Sequence, residues 1–136
     1  MEQKTKEQLE QILDKELDRR IFVFSEFNLA FEEVGFDYRG DQCFELDNHK
    51  NYVLWLGLNN EAYDFVVEYI ASRQLLPIPA PEEAYYNNLI RPNMPVAESN
   101  DLKYNVTYNE PHWLPVTLIS RDQLDDVVTK AMLNIL

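Results

Sequence analysis

The sequence has few of the residues on which recognisable catalytic and cofactor-binding motifs depend. Its 136 residues include three glycines, one cysteine and two histidines. Gly35, Gly40 and Gly57 stand apart from one another, so the sequence contains no glycine-rich loop of the kind that cradles a phosphate group. The signatures of zinc proteases, of serine hydrolases and of paired-cysteine sites are also missing. We therefore expect no cofactor and no bound metal.

Disulfides and long apolar runs are missing as well. Cys43 is the only cysteine, which excludes a disulfide within the chain. The N-terminal segment is polar and lacks the apolar stretch of a signal peptide. The longest apolar run, Tyr52–Leu58, is too short to cross a bilayer. These features lead us to expect a cytoplasmic protein that does not associate with membranes.

Basic residues are scarce. The chain has 12 Lys and Arg residues against 24 Asp and Glu residues, giving a net charge of −12. Residues 1–20 are nearly balanced, with six acids and five bases, so most of the excess lies in residues 21–136. Nucleic acid and anionic lipid both require many cationic side chains, so we expect no direct binding to either. The charge is compatible with a basic protein partner, and equally with solubility alone.

Apolar residues are abundant despite this charge. They make up 46% of the chain, and aromatic residues make up 12%, which is typical of a globular protein. A chain of this length can bury a core without the help of a metal or a disulfide. We expect one domain over residues 1–136.

Helical periodicity and capping residues predict two helices in the first part of the chain. A capping box beginning at Thr5, followed by leucines at helical spacing, predicts a helix over 6–20. Ser25 is a suitable first residue for a second helix, and Gly35 suits the left-handed residue that ends it. A single helix over 6–34 is the alternative.

The middle of the chain predicts a β-hairpin followed by a helix. Residues 43–46 form a short candidate strand, and 47–51 are polar and suited to a turn. Residues 52–58 are apolar on both faces, which favours a central strand. Asn59 then caps a helix with a regular apolar stripe.

The end of the chain predicts a second hairpin and a last helix. Residues 103–109 alternate in polarity, and 113–119 are largely apolar, with Pro115 marking a bulge or an edge. Ser120 and Gln123 fit a second capping box before a strongly amphipathic helix.

Prolines are concentrated between these two hairpins. Five of the seven lie within 77–95, and three of them alternate at positions 77, 79 and 81. Such a run cannot form a central strand, and it favours an extended backbone near polyproline II. We interpret 75–81 as a stiff connector between two halves, followed by a short helix over 81–90. Docking of the connector into a partner's aromatic groove is a second interpretation.

Together these elements predict an α+β fold. Its antiparallel sheet would have about four strands, arranged as two hairpins and packed by helices. A shift of 61 residues aligns 52–58 with 113–119 and Asn59 with Ser120. This alignment raises the hypothesis of two similar helix-hairpin-helix halves.

The few chemically versatile residues do not predict a catalytic site. His49 and His112, with Asp47 and Glu110, would be needed for a metal pair. Cys43 with His49 would be the only candidate nucleophile and base. We favour the simpler interpretation that the histidines lie in surface turns and that the thiol is structural.

Aromatic and acidic residues in the second half predict an interface for a protein partner. Tyrosine and tryptophan are favoured in interfaces because they combine a large contact area with a polar tip. The candidate residues are Glu82, Glu83, Tyr85, Tyr86, Tyr104, Tyr108, Glu110 and Trp113.

The function that fits these features best is that of a small, acidic, non-enzymatic interaction or regulatory protein. Its partner would be another protein, with an inhibitor or a nucleic-acid-mimicking decoy as one version. Two alternatives stay open: a small enzyme with a His/carboxylate site between the halves, and a scaffold that associates with copies of itself.

Overall fold

The structure, a computed structural model, describes residues 1–19, 21–86, 90–126 and 132. These residues form an α+β fold with two small sheets. The helices are α1 (Gln3–Arg19), α2 (Ser25–Val34), α3 (Asn60–Ser72), a 3-10 helix (Glu82–Tyr85) and α4 (Ser99–Lys103), and residues 121–126 are also helical. The strands are β1 (Phe22–Val23), β2 (Arg39–Glu45), β3 (Tyr52–Leu58), β4 (Leu75–Pro79), β5 (His112–Trp113) and β6 (Val116–Ser120).

The first two helices are separate. α1 begins at Gln3, so Thr5 lies inside the helix and does not cap it. The short strand β1 interrupts the chain before α2, which makes the alternative of one long helix wrong. The prediction for Gly35 is confirmed: its φ is 73°, and its N–H donates to the carbonyl of Glu32 at 3.1 Å.

The first hairpin and the helix after it are confirmed. β2 and β3 pair antiparallel, and residues 46–51 connect them. The side chain of Asn59 accepts a hydrogen bond from the N–H of Ala62 at 2.8 Å, which caps α3.

The predicted sheet of four strands is wrong. One sheet has the order β2-β3-β5 and the other has the order β1-β6-β4. The second hairpin does not form, because most of 103–109 is irregular and follows α4. Instead β5 pairs parallel with β3, while β6 lies between β1 and β4.

The hypothesis of two similar halves fails for the same reason. Residues 52–58 form the central strand of one sheet. Residues 113–119 are divided between both sheets, with a break at Leu114 and Pro115. Pro115 has no N–H to donate to a sheet, so the ladder is interrupted where the chain passes from one sheet to the other.

The proline segment is an edge strand and not only a connector. β4 pairs antiparallel with β6 along its whole length. The N–H of Ala80 donates to the carbonyl of Pro115 at 2.9 Å. Because N–H groups alternate in direction along a strand, Pro77 and Pro79 lie at positions whose nitrogens face away from β6. The free edge therefore offers no donor at these positions, which protects it from pairing with another chain.

The helix predicted over 81–90 is much shorter. The 3-10 helix ends at Tyr85, and residues 87–89 lie outside the described residues. Of the last predicted helix, residues 121–126 are described as helical. Its capping box is confirmed: Ser120 N–H donates to Gln123 Oε1 at 2.9 Å, and Gln123 N–H donates to Ser120 Oγ at 3.2 Å.

The core is rich in aromatic side chains from both sheets and from the helices. The largest buried side chains include Phe22, Phe24, Phe27, Phe31, Tyr52, Tyr69, Tyr85 and Trp113.

Tyr85 lies at the centre of this cluster. Its ring stacks on Trp55 at 5.7 Å and meets Trp113 edge-on at 4.8 Å. Its hydroxyl donates to the carbonyl of Val116 at 2.7 Å and accepts from the N–H of Phe24 at 3.4 Å. Tyr85 therefore fixes the 3-10 helix to the start of β6 and to the residue between β1 and α2.

Replacing Tyr85 by phenylalanine tests this anchor. The change keeps the ring but leaves a buried carbonyl and a buried N–H without their partner. We expect the free energy of unfolding to fall by about 1–3 kcal/mol. Urea denaturation of Tyr85→Phe against Tyr86→Phe measures the effect, because Tyr86 is 50% exposed and loses little. Equal stability of the two variants would contradict the assignment.

Candidate protein-binding site

Two adjoining cavities lie beside the 3-10 helix and share Glu82 and Val96. The first has a volume of about 430 Å³, and its walls include Pro79, Pro81 and Pro115. The second has a volume of about 420 Å³ and is lined by residues 91–96 together with Glu82 and Trp113. We refer to the two cavities together as the groove.

The acidic residues of the first cavity are positioned by the starts of two helices. Pro81 has an extended backbone, with φ −67° and ψ 151°. It lies between the end of β4 and the start of the 3-10 helix. Glu82 and Glu83 follow in the first turn, and Glu98 precedes α4. Glu82, Glu83 and Glu98 all line the first cavity, and no Lys or Arg among the described residues lines it.

Arg91 is the cation of the second cavity. Its Nη1 lies 2.9 Å from Glu82 Oε2, at the border between the two cavities. Among the described residues, no cation lies within ion-pair distance of Glu83 or Glu98. The first cavity therefore keeps a net negative charge.

The negative charge of Glu82 affects the neighbouring Tyr86. Its hydroxyl lies 3.5 Å from Glu82 Oε1. The charge of Glu82 raises the pKa of Tyr86, and burial and Glu83 raise it further.

Tyr108 and His112 form a second cluster on the other side of Glu98. Their rings stack at 3.7 Å with 8° between the planes. The hydroxyl of Tyr108 donates to Asp101 Oδ2 and accepts from the N–H of Glu98 at 3.4 Å. Burial, together with the hydrogen bond to Asp101, raises the pKa of Tyr108 to about 12. The cluster holds the loop before β5 against the start of α4.

The candidate interface residues from the sequence therefore separate into three groups. Glu82 and Glu83 line the groove, and the Tyr86 hydroxyl lies 3.5 Å from Glu82 Oε1. Tyr108 and Glu110 lie near His112, whose Nδ1 is 2.8 Å from the Glu110 carbonyl oxygen.

Of the remaining three candidates, Trp113 lines the second cavity of the groove but has no exposed face, and Tyr85 and Tyr104 do not line the groove. Tyr85 and Trp113 are buried in the core, at 1% and 0% exposure, so neither presents a face to a partner in this structure. Tyr104 is 71% exposed but lines neither cavity of the groove. An interface built on these aromatic rings would thus be much smaller than the sequence suggested.

The two histidines and the cysteine line none of the four described cavities. Neither His49 nor His112 lines the groove or the two further cavities, around Ile70 and around Phe36. The described residues contain no group of three or more His, Cys, Asp or Glu side chains that would hold a metal ion. The thiol of Cys43 contacts Glu45 Oε1 at 3.7 Å, and burial raises its pKa.

Sequence reasoning missed Arg91 and the proline walls of the groove. A signal for Arg91 was present, since it is the only Lys or Arg between residues 74 and 102. The groove itself had no such signal, because its walls come from three segments that are distant in the chain.

Comparisons with protein-family models, with curated proteins and with solved structures found no match to this chain. In the part of the chain that the structure describes, no helix is both long enough and apolar enough to cross a membrane.

The raised pKa of Tyr108 predicts how stability depends on alkaline pH. The folded state favours the neutral phenol, so this contribution is complete below the ordinary pKa of 10.0 and is lost as the pH rises through about 12. The free energy of unfolding should fall over this range, and it should fall less steeply in Tyr108→Phe. Urea denaturation at several pH values measures the slope, with Tyr104→Phe as the exposed control. Identical slopes for Tyr108→Phe and the wild type would contradict the assignment.

Proposed function

We propose that this protein is a non-enzymatic interaction protein whose groove binds a basic, extended segment of a partner protein. The observation that carries the proposal is the first cavity, where Glu82, Glu83 and Glu98 lie beside three prolines and no described Lys or Arg contributes to the lining. A partner's arginine or lysine supplies the charge that this cavity lacks.

The walls of the groove suit such a side chain. Arginine and lysine carry apolar stems behind their charged ends, and these stems pack on apolar surface. Pro79, Pro81 and Pro115 provide that surface with little conformational freedom to lose. Carboxylates at the rim then pair with the charged end, and an arginine can bind one of them through two hydrogen bonds.

The chain itself contains an example of this pairing. Arg91 contacts Glu82 at 2.9 Å although the arginine is 51% exposed and the glutamate is 32% exposed. Among the described residues, no cation pairs with Glu83 or Glu98, so both carboxylates are available to a partner's cation.

The charge of the whole protein supports encounter with a basic partner. A net charge of −12 attracts cationic molecules over distances of about a Debye length and accelerates their association. The narrower version, a decoy for a site that takes nucleic acid, rests on net charge alone.

The alternative of a small enzyme predicts a deep pocket that contains a histidine and several acids. Neither histidine lines the groove or the two further cavities, so no specific observation favours this function. Self-association through exposed aromatic residues such as Tyr104 is distinguished by the mass of the protein in solution.

Neutralising the first cavity tests the proposal. The probe is a labelled peptide of three Arg-Pro-Ala repeats with blocked ends, which is extended and cationic. The double variant Glu83→Gln/Glu98→Gln should bind it about tenfold more weakly, because each exposed charge pair contributes about 0.7 kcal/mol. Fluorescence anisotropy at about 50 mM and about 500 mM salt measures the affinity, which should fall with salt.

The control removes the same charge elsewhere. Glu33 and Asp64 are exposed and lie outside the groove, so Glu33→Gln/Asp64→Asn should lose much less affinity. Equal losses in both double variants would mean that net charge, and not the groove, attracts the peptide. Failure of the wild type to bind at low salt would refute the proposed function.

A further inference from the structure

The border between the two cavities of the groove carries an ion pair that the chain makes with itself. Arg91 Nη1 lies 2.9 Å from Glu82 Oε2. Glu82 lines both cavities, whereas Arg91 lines the second. The other oxygen of the same carboxylate, Oε1, lies 3.5 Å from the hydroxyl of Tyr86. Both oxygens of the carboxylate that the cavities share are therefore in contact with side chains of this chain.

Glu83 and Glu98 differ from Glu82 in this respect. Both are exposed and line the first cavity, and no cation among the described residues pairs with either of them. An arginine binds a carboxylate most strongly when two of its N–H groups reach both oxygens. Glu82 cannot offer both oxygens to a partner's arginine while Arg91 contacts one of them.

We propose that Arg91 is an internal competitor for the partner's cation, and that it weakens binding at the groove by holding Glu82. This inference rests on the proposed function, in which that cation pairs with the carboxylates of the groove. A second cation brought to Glu82 meets the charge of Arg91 at close range, and like charges repel. Arg91 therefore favours segments that contact the rest of the groove well over molecules that bring only positive charge.

The strength of the ion pair suits such a competition. The side chain of Arg91 is 51% exposed and that of Glu82 is 32% exposed. Ion pairs at this exposure are weak because water screens them, so a bound segment can displace Arg91 without disturbing the fold. Pro92, which follows Arg91, is buried and lines the second cavity, so the backbone keeps the arginine at the border of the groove.

Arg91→Gln tests the inference, because it removes the competing charge and frees Glu82. The affinity for the peptide of three Arg-Pro-Ala repeats should rise roughly twofold to fivefold, the range expected for one exposed ion pair. Arg39→Gln is the matched control, since Arg39 is exposed, lies 3.6 Å from Asp37 and lines neither cavity of the groove. It removes the same charge and should raise the affinity much less. Fluorescence anisotropy at about 50 mM salt measures both variants.

The Glu82→Gln background shows whether Arg91 acts through Glu82. The gain from Arg91→Gln should be smaller there, because no carboxylate is freed. Equal gains in both backgrounds would overturn the inference, as would equal gains from Arg91→Gln and Arg39→Gln. An affinity of Arg91→Gln that is unchanged or lower would also overturn it, and all three results leave the proposed function standing. A wild type that does not bind the peptide at low salt would refute the proposed function and the inference with it.

Discussion

The hydroxyl of Tyr85 holds together the parts of the molecule that form the groove. It donates to the carbonyl of Val116, directly after the point where Pro115 interrupts the sheet. It also accepts from the N–H of Phe24, between β1 and α2. One buried side chain thus fixes the 3-10 helix against the first residue of β6, directly after the chain has crossed from one sheet to the other. The backbone at Glu82 and Glu83 is held in place because Tyr85, in the same 3-10 helix, is anchored in the core.

Proline shapes the groove because it has no backbone N–H to donate. In β4, Pro77 and Pro79 have no N–H groups on the free edge, so this edge is poorly suited to pairing with a further strand. At Pro115 it ends one ladder and lets the chain enter the other sheet. The same residues then form apolar walls beside three glutamates. The proline segment, which we interpreted mainly as a stiff connector, therefore also contributes to a surface.

Local signals in the sequence predicted local structure well. The hairpin of β2 and β3, the cap at Asn59, the turn at Gly35 and the capping box of Ser120 with Gln123 all depend on residues that are close in the chain. The pairing of distant strands was not predictable in this way. Alternating polarity at 103–109 predicted a strand that pairs with 113–119. Most of 103–109 is irregular, and β5 pairs with the distant strand β3.

The candidate site shows the same limit. Glu82, Glu83 and Tyr86 were predicted because acidic and aromatic residues cluster there in the sequence. Tyr85 and Trp113 were included for the same reason, but composition does not distinguish a buried ring from an exposed one. The walls of the groove depend on contacts between distant segments, which no sequence pattern encodes.

Mapping the bound peptide by NMR tests the central claim most directly. Amide shifts of the wild-type protein would be followed during titration with the peptide of three Arg-Pro-Ala repeats at low salt. The account predicts that the largest changes lie at residues 79–83, 91–99 and 113–115, which line the groove. Changes spread evenly over the exposed acidic residues of α2 and α3 would contradict it, because binding would then follow charge without a site.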